Sequence, residues 1–527
     1  MPPGEAEEEN QAELASWPIC RQSHPFHRQS NVVWYGWVEF KPKLDPAAEA
    51  PLYRQLSDQI AQQIRSGLLT RGERLPATRE LAGSLGLNRT TVSAAYEILE
   101  SAGLISGQVG RGSFVTGGAV PTDGVDWNAL LERSDTSMAG PNGGWSKDVI
   151  SFAVSRPSRD LFPLDQFRAT CATVLARPDL ADILQLGSPS GYEPLRRYLM
   201  EEARRQHVAG PGDDLLITNG CQQALDLIGR VLLRPGDTVA VEDPLYTGLK
   251  NLLTGMGAQL CGVPVGPEGM DVGQLERVLE REKPRFLVVT SNFQNPTGAS
   301  LPLAARYALL DAARRASVPV VENDAYGELR YSGEPIASLK HLDDAGGTVL
   351  LRSFSKVSFP GLRVGWAVGP KPLIDRLRHA KEAADLHTDQ LSQAVLLEFA
   401  ESGRLEAHRA RMRQAGSQRL VATLAACAQY LPAGTQWTRP EGGMNVWVRL
   451  PEPLDAGELL ARAQRAGVAY MPGRYFAVSR LEPGALRLSF AGLAPEQIRE
   501  GLAILGRTVA SELENAARNF EPSPAMV

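Results

Sequence analysis

The sequence predicts an α/β protein: a small helical module, a linker, and a large domain built on a mostly parallel sheet. From Val149 to about Ala510, apolar runs of strand length alternate with segments of helical period. The clearest runs begin at Leu215, Thr238, Phe286, Val318 and Thr348. Such alternation is typical of parallel sheets covered by helices on both faces. A more antiparallel pattern in GGMNVWVRLP and ALRLSF indicates a smaller α+β lobe.

Bulk composition favours an ordinary globular protein with several domains. The chain has 527 residues, 43% hydrophobic and 22% charged, with a net charge of −5, so any DNA-binding part must be local. The five cysteines form no CxxC pair, which argues against disulfides and structural zinc. No apolar run reaches the roughly 20 residues that span a bilayer, and the first residues are acidic. We expect a cytoplasmic protein without a membrane segment.

The two ends of the chain lie outside the predicted domains. Residues 1–48 show no clear period, and we predict a disordered or irregular extension; residues 511–527 are predicted to form a C-terminal tail. Cys20, His24 and His27 lie close together, but three ligands without a fourth make a weak metal site, so no metal is predicted.

Residues 49–117 predict three short helices followed by a two-stranded hairpin. Leu52, Leu56, Ile60 and Ile64 share one face of the first helix. TRELAGSLGLNRTTVSAAYEILE has the pattern of a helix-turn-helix, whose second helix begins with polar groups suited to base edges and phosphates. Seven arginines stand against five acidic residues over 51–117, a net charge of about +2. The pattern favours DNA binding over a helical dimerisation module.

This segment resembles the winged helix-turn-helix of the GntR family. The resemblance rests on LYRQL, the G-x-x-LP-x-x-RELA pattern, NRTTV-x-x-AY-x-x-L and GRGSFV. It implies binding to double-stranded operator DNA. The residues it implies in DNA contact are Arg79, Arg89, Thr90, Thr91, Arg111 and Gly112.

Residues 118–148 are rich in Gly, Pro, Asp and Ser and predict a linker. If flexible, 31 residues reach roughly 30 Å, close to one turn of DNA at about 34 Å.

The large domain, residues 149–510, carries its polar residues at strand ends. They are found in ITNGCQQALDL, EDPLYTGL, TSNFQNPTG, VVENDAYGEL and SFSKVSFPGLRVG. The side chains of one edge of a parallel sheet could together hold an aromatic cation with an aldehyde, a phenolate and a phosphate. In that arrangement Lys356 condenses with the aldehyde, Asp324 pairs with the ring nitrogen, and Arg363 with nearby serines holds the phosphate. That ligand is pyridoxal 5′-phosphate, PLP.

The domain resembles fold-type I, class I aminotransferases, through SPSGYEPLRRYL, TNGCQQALDL, EDPLYTG, NPTG, END-A-Y, SFSK, PGLRVG and RLSF. The resemblance implies that Lys356 forms the Schiff base with PLP and that Arg487 binds a substrate carboxylate. The remaining implied cofactor contacts are Gly220, Cys221, Gln222, Tyr246, Asn295, Asp324, Tyr326, Ser353, Ser355 and Arg363. Leu186 departs from the family pattern, where a tyrosine often reaches the neighbouring subunit's phosphate.

The order of the two domains resembles the MocR/GabR-type regulators. The resemblance implies a homodimeric transcription factor that senses PLP, or PLP combined with an amino acid or amine effector, at Lys356. Two alternatives stay open. One is a working PLP-dependent aminotransferase that carries a DNA-binding domain; the other is a sensor of free PLP alone. Weak or vestigial transaminase activity is compatible with the first interpretation.

Overall fold

The computed structural model describes residues 42–45, 48, 50–66, 68–108, 112–116, 127 and 149–520. The predicted extension 1–48, its Cys20, His24 and His27, and the predicted linker 118–148 therefore lie almost wholly outside the described residues. The chain divides into two compact units, residues 1–133 and 134–527, and each is described by itself.

Within residues 50–116 of the N-terminal unit, leaving out the undescribed 67 and 109–111, there are three helices and a hairpin. These are α1 (Leu52–Arg65), α2 (Thr78–Leu85), α3 (Arg89–Ser101), β1 (Ile105–Gln108) and β2 (Gly112–Val115). Leu56, Ile60 and Ile64 of α1 point inward together, as their helical spacing requires, and pack against Val92 and Leu99 of α3. α2 ends at Gly86, whose φ of +65° suits a residue without a side chain.

The large unit is built on an eight-stranded sheet. Its strands are β4 (Asp213–Thr218), β5 (Thr238–Asp243), β6 (Gln259–Gly266), β7 (Gly269–Met270), β8 (Leu287–Val289), β9 (Val320–Asn323), β10 (Thr348–Ser353) and β11 (Gly365–Pro370). The order is β4-β11-β10-β9-β8-β5-β6-β7. Neighbours from β10 to β6 pair in parallel, whereas β11 runs antiparallel to both its neighbours. The central strands are buried on both faces, which explains their continuous apolar sequences.

Helices cover this sheet. They are α4 (Leu164–Leu175), α5 (Leu180–Ile183), α6 (Glu193–Arg205), α7 (Cys221–Leu232), α8 (Thr247–Gly255), α9 (Val272–Glu282), α10 (Leu303–Ala316), α11 (Leu339–Leu342), α12 (Lys371–Asp385) and α13 (Gln390–Glu401). One face of the sheet packs on α7 and α12, and the other packs mainly on α6, α9, α10 and α13.

A smaller lobe completes this unit. It contains α14 (Arg404–Tyr430), α15 (Ala456–Arg465), α16 (Pro495–Phe520), β12 (Gln436–Trp437), β13 (Asn445–Arg449), β15 (Met471–Pro472) and β16 (Ala485–Ser489). These strands form an antiparallel sheet, and β14 (Val468–Ala469) pairs in parallel with β3 (Ile150–Ser151). The predicted fold class is confirmed. The last helix continues to Phe520, ten residues beyond the predicted domain end at 510.

Among the described residues, no helix combines the length and the apolar character needed to cross a membrane.

Candidate functional site

In the N-terminal unit, four of the side chains predicted to contact DNA lie on α2 and α3. Arg79 is exposed at the start of α2, and Arg89 and Thr90 are exposed in the first turn of α3, with Thr91 half-buried beside them. Asn88 caps α3 by accepting a hydrogen bond from the Thr90 amide at 3.1 Å. The first turn of α3 therefore presents polar side chains on a fixed backbone, as base and phosphate contacts require.

The hairpin supplies the predicted wing. Gly112 begins β2 with a φ of +106°, and a Cβ there would lie 2.9 Å from Arg74 Nε. Glycine therefore suits this position on conformational and steric grounds. Arg111 lies outside the described residues.

In the large unit, the predicted cofactor residues gather at the carboxyl edge of the sheet. Gly220 and the first residues of α7, Cys221 and Gln222, follow β4. The segments after β5, β8, β9 and β10 carry Tyr246, Asn295, Tyr326 and Lys356. Arg363 precedes β11, which begins at the same edge because it runs antiparallel to β10. Sequence-distant side chains are thereby brought to one place, the usual position of a ligand site in an open α/β sheet.

A cavity of about 400 Å³ opens at this edge. Ten predicted residues line it: Cys221, Gln222, Tyr246, Asn295, Tyr326, Ser353, Ser355, Lys356, Arg363 and Arg487. A larger cleft of about 1020 Å³ beside β6 and β7 contains none of the predicted residues. The smaller cavity is therefore the candidate site.

Lys356 lies in a short 3₁₀ turn directly after β10. Its Nζ donates a hydrogen bond to the Ser155 carbonyl oxygen at 2.9 Å and lies 5.4 Å from the centre of the Tyr326 ring. Ser155 comes from a segment 201 residues earlier in the chain. The amine is thus positioned at the cavity wall by one backbone acceptor and an aromatic face.

One end of the cavity is suited to a phosphate. Arg363 donates to the Asn219 carbonyl oxygen at 3.1 Å and lies 3.4 Å from the Ser355 hydroxyl. Ser353 Oγ donates to Ser355 Oγ at 2.9 Å. α7 begins at Cys221, so its unpaired amides and dipole favour an anion there.

A second guanidinium, that of Arg487 on β16, reaches the cavity from the small lobe. Its Nη1 donates to Asn295 Oδ1 at 3.0 Å, and Nη2 donates to the Ala153 carbonyl oxygen. Its Nε is buried and has no hydrogen-bond partner within the described part of the chain. Burial lowers the pKa of Arg487 to about 10, so it stays charged at neutral pH and can receive a carboxylate.

Aromatic and amide groups occupy the middle of the cavity. Asn295 Nδ2 donates to the Tyr326 hydroxyl at 3.3 Å, which places two hydrogen-bonding groups side by side. Tyr246 keeps 37% of its surface exposed, at the cavity, and its ring is available for stacking. Gln222 donates to the Gly248 carbonyl oxygen at 3.1 Å, tying the start of α7 to α8.

The structure does not bring Asp324 to the cavity. Its carboxylate accepts hydrogen bonds from Asn292 at 3.0 Å and from Arg352 at 3.1 Å. Side chains alternate along a strand, and Val321 packs on the α7 face of the sheet, so Asn323 points to that face and Asp324 to the other. The prediction for Asp324 therefore needs correction: Asn323 lines the cavity from this strand end.

The cavity fits PLP by the chemistry of its groups. It offers a primary amine, a phosphate-binding end, an aromatic ring and an arginine on the small-lobe side. Three buried polar atoms at its wall have no partner among the described residues: Ser155 Oγ, Asn323 Oδ1 and Arg487 Nε. Unpaired buried polar groups are costly and indicate a missing partner such as a polar ligand.

Comparison with known proteins assigns both parts of the chain. Residues 163–505 match the family of class I and II aminotransferases, and residues 52–115 match the gntR family of bacterial regulatory proteins. The HTH-type transcriptional regulator TauR of Rhodobacter capsulatus is 31% identical over 484 residues, covering 88% of this chain and 98% of TauR. The probable rhizopine catabolism regulatory protein MocR of Rhizobium meliloti is 30% identical over 473 residues, covering 87% of this chain and 94% of MocR.

A solved structure supports the fold of the large unit. The α-aminoadipate aminotransferase LysN of Thermus thermophilus, in complex with N-(5′-phosphopyridoxyl)-L-leucine, is 38% identical with a TM-score of 0.66. The match covers 70% of this chain and 94% of LysN. The chain therefore belongs to the MocR-type helix-turn-helix transcriptional regulators, whose GntR-family domain precedes a class I and II aminotransferase domain of the kind that binds PLP.

Proposed function

We propose that this protein is a DNA-binding regulator that senses PLP, or PLP together with an amino acid or amine, through Lys356. The observation that carries the proposal is the Lys356 amine in a cavity suited to a phosphorylated ligand, within a chain that also has a GntR-type helix-turn-helix. When bound, PLP supplies an aldehyde that condenses with a primary amine, either that of Lys356 or that of an effector.

The protein side chains then act as holders of the cofactor. Arg363, Ser353, Ser355 and the first amides of α7 bind the phosphate, and charge-assisted hydrogen bonds of this kind contribute about 1.5–3 kcal/mol each. Asn295 and Tyr326 hydrogen-bond the ring oxygen, and Tyr246 stacks on the ring. The Ser155 carbonyl orients the Lys356 amine towards the cavity.

Arg487 favours an amino acid over free PLP as the sensed state. A sensor of PLP alone needs no buried arginine beyond the phosphate end, because an unused guanidinium is expensive to bury. The unpartnered Nε of Arg487 gives a carboxylate a place to bind bidentately.

The N-terminal unit then reads the operator through Arg79, Arg89, Thr90, Thr91, Arg111 and Gly112. A homodimer would present two such units to the two halves of an operator. Leu184 and Leu186 of the large unit are 64% and 72% exposed, which favours an apolar contact with a second copy. A cytoplasmic location agrees with this role.

DNA footprinting upstream of the protein's own and neighbouring genes, with and without PLP, tests the proposal. Lys356→Ala should lose the visible absorption band of bound PLP and its effect on the footprint, while keeping basal DNA binding. Lys371→Ala is the matched control, since that side chain is exposed and pairs with Asp375 outside the cavity. If Lys356→Ala responds to PLP as wild type does, the covalent-sensor proposal fails.

The second candidate function is an active aminotransferase, favoured by the similarity of the large unit to LysN. Steady-state assays with amino acids and 2-oxo acids separate the two. Turnover in the usual enzyme range of roughly 1–1,000 s⁻¹, without sequence-specific DNA binding, would establish the enzyme and exclude the regulator.

A further inference from the structure

The basic side chains that line the candidate cavity have no acidic counterpart at its wall. Lys356, Arg363 and Arg487 line it, and no Asp or Glu is among its lining residues, all of which lie within the described range 149–520. The other titratable groups that face it are Cys221, Tyr246 and Tyr326. Burial raises the pKa of the Cys221 thiol to about 12, so it is neutral at pH 7. The cavity is therefore suited to anionic ligand groups and disfavours additional positive charge.

All four residues of β9 are described, and among them Asn323 lines the cavity. It shares the α7 face of the sheet with Val321, and its Oδ1 is buried without a hydrogen-bond partner in the described chain. An amide can donate through Nδ2 or accept through Oδ1, and it carries no charge.

The adjacent carboxylate, that of Asp324, is committed elsewhere. Asp324 is 6% exposed, and its two oxygens are taken by Asn292 and Arg352 on the opposite face. It forms an ion pair with Arg352, and its charge reaches the cavity wall only from a distance, as a minor contribution to the raised pKa of the Cys221 thiol. A carboxylate in contact with a basic nitrogen raises the pKa of that nitrogen by about 1–3 units, an effect that an amide cannot supply.

The ring nitrogen of PLP lies across the ring from the aldehyde, so it points away from Lys356. Protonation of that nitrogen decides how well the ring accepts the electron pair left when Cα of a bound amino acid loses its proton. Among the described lining residues no carboxylate contacts that nitrogen, so nothing at this wall stabilises a proton there. A 180° turn of the Asn323 side-chain amide puts Nδ2 in the place of the unpartnered Oδ1, so the amide can donate to the unprotonated nitrogen instead.

We propose that Asn323 faces the cofactor's ring nitrogen and leaves it unprotonated at neutral pH. The site then binds PLP and exchanges amines at its aldehyde, but removes the Cα proton slowly. This inference rests on the proposed function and deepens it. The chemistry of the cavity favours a sensor that holds an amino compound over a catalyst that converts it.

The test uses the full-length protein loaded with PLP that carries ¹⁵N at its ring nitrogen. The ¹⁵N chemical shift reports protonation directly, independently of turnover. Wild type should show an unprotonated nitrogen at pH 7.5. Asn323→Asp should show a protonated one, since a pKa rise of about 1–3 units increases the ratio of protonated to unprotonated nitrogen roughly 10- to 1,000-fold.

Asp324→Asn is the matched control, because it removes a charge one residue away on the other face. It should leave the ¹⁵N shift unchanged. In single-turnover reactions with an amino acid, Asn323→Asp should also proceed at least about 10-fold faster than wild type.

A protonated nitrogen in wild type, or an Asn323→Asp shift equal to that of wild type, overturns the inference while leaving the sensor function intact. If Asp324→Asn removed a proton from the ring nitrogen, the inference would likewise be overturned, and Asp324 would be the partner of that nitrogen. Absence of the visible PLP band in wild type would instead reject the proposed function, and this inference with it.

Discussion

Gly220 gives the sharpest test of how the phosphate end is built. It precedes α7 with φ of 78° and ψ of 174°, a region of backbone conformation that is essentially restricted to glycine. A Cβ at this position would lie 2.7 Å from Arg363 Nη2 and 3.3 Å from Arg363 Cζ. Gly220→Ala therefore strains the backbone and displaces the Arg363 guanidinium at the same time.

These two effects have separable magnitudes. Backbone strain of this kind costs about 1–3 kcal/mol and lowers the free energy of unfolding, whether or not PLP is bound. Displacing Arg363 removes a charge-assisted hydrogen bond to the phosphate, worth about 1.5–3 kcal/mol of binding free energy. The dissociation constant of PLP should therefore rise by about 10- to 150-fold.

PLP affinity is measured by titrating the visible absorption band, and stability by urea denaturation of the PLP-free protein. Gly361→Ala is the matched control. It lies in the same Ser353–Gly365 segment, and a Cβ there would meet nothing within 4 Å. An affinity of Gly220→Ala within twofold of that control would refute the role given to Arg363 and the Gly220 turn.

Three further results are expected. Arg89→Ala should weaken operator binding. A phosphate contact of Arg89 would also show as a slope of log K against log[salt] that is smaller by about 0.9 in the variant. Arg65 is exposed on α1, and Arg65→Ala should change neither the affinity nor the slope. Leu56→Ala, at a fully buried position of α1, should destabilise the N-terminal unit by about 2–5 kcal/mol and abolish DNA binding while PLP titration stays normal. Burial lowers the pKa of His408 to about 4, below its unfolded value of about 6.5, so only the unfolded state gains a proton between these values and stability falls as pH falls. The His408 contribution to stability should fall by about 2 kcal/mol between pH 7 and pH 5. It is measured by urea denaturation as the difference between the pH dependence of wild type and that of His408→Phe.

Much of the site could be predicted from sequence because it depends on strand ends. Polar residues that follow buried parallel strands must meet at one edge of the sheet, and this brings Lys356, Asn295 and Tyr326 together although their loops are distant in sequence. Arg487 could be placed only through the resemblance to aminotransferases, since nothing local shows that β16 of the small lobe faces this edge.

The residues that sequence reasoning missed depend on side-chain direction and on long-range packing. Alternation along VVEND does carry a signal: if Val321 faces the α7 side, Asn323 does too and Asp324 does not. The sequence prediction nevertheless assigned the ring nitrogen to Asp324, because a carboxylate is the stronger partner for a protonated nitrogen. No sequence pattern indicates Ser155, whose carbonyl oxygen accepts a hydrogen bond from Lys356 Nζ, because that carbonyl reaches the cavity only through the packing of distant segments.

The way in which this site could transmit binding depends on Arg487. It belongs to β16 of the small lobe, whereas its partner Asn295 follows β8 of the large sheet, so a ligand bound to both Arg487 and Lys356 bridges lobe and sheet. Moving a conformational equilibrium from 1:99 to 99:1 requires about 5.5 kcal/mol of differential binding. Two charge-assisted hydrogen bonds that Arg487 donates to a carboxylate, at about 1.5–3 kcal/mol each, approach that value only if they form in one of the two states and not in the other. An amine without a carboxylate cannot make them. Amino acids should therefore change the affinity of the protein for its operator DNA far more than simple amines of the same size, although both can condense with the aldehyde.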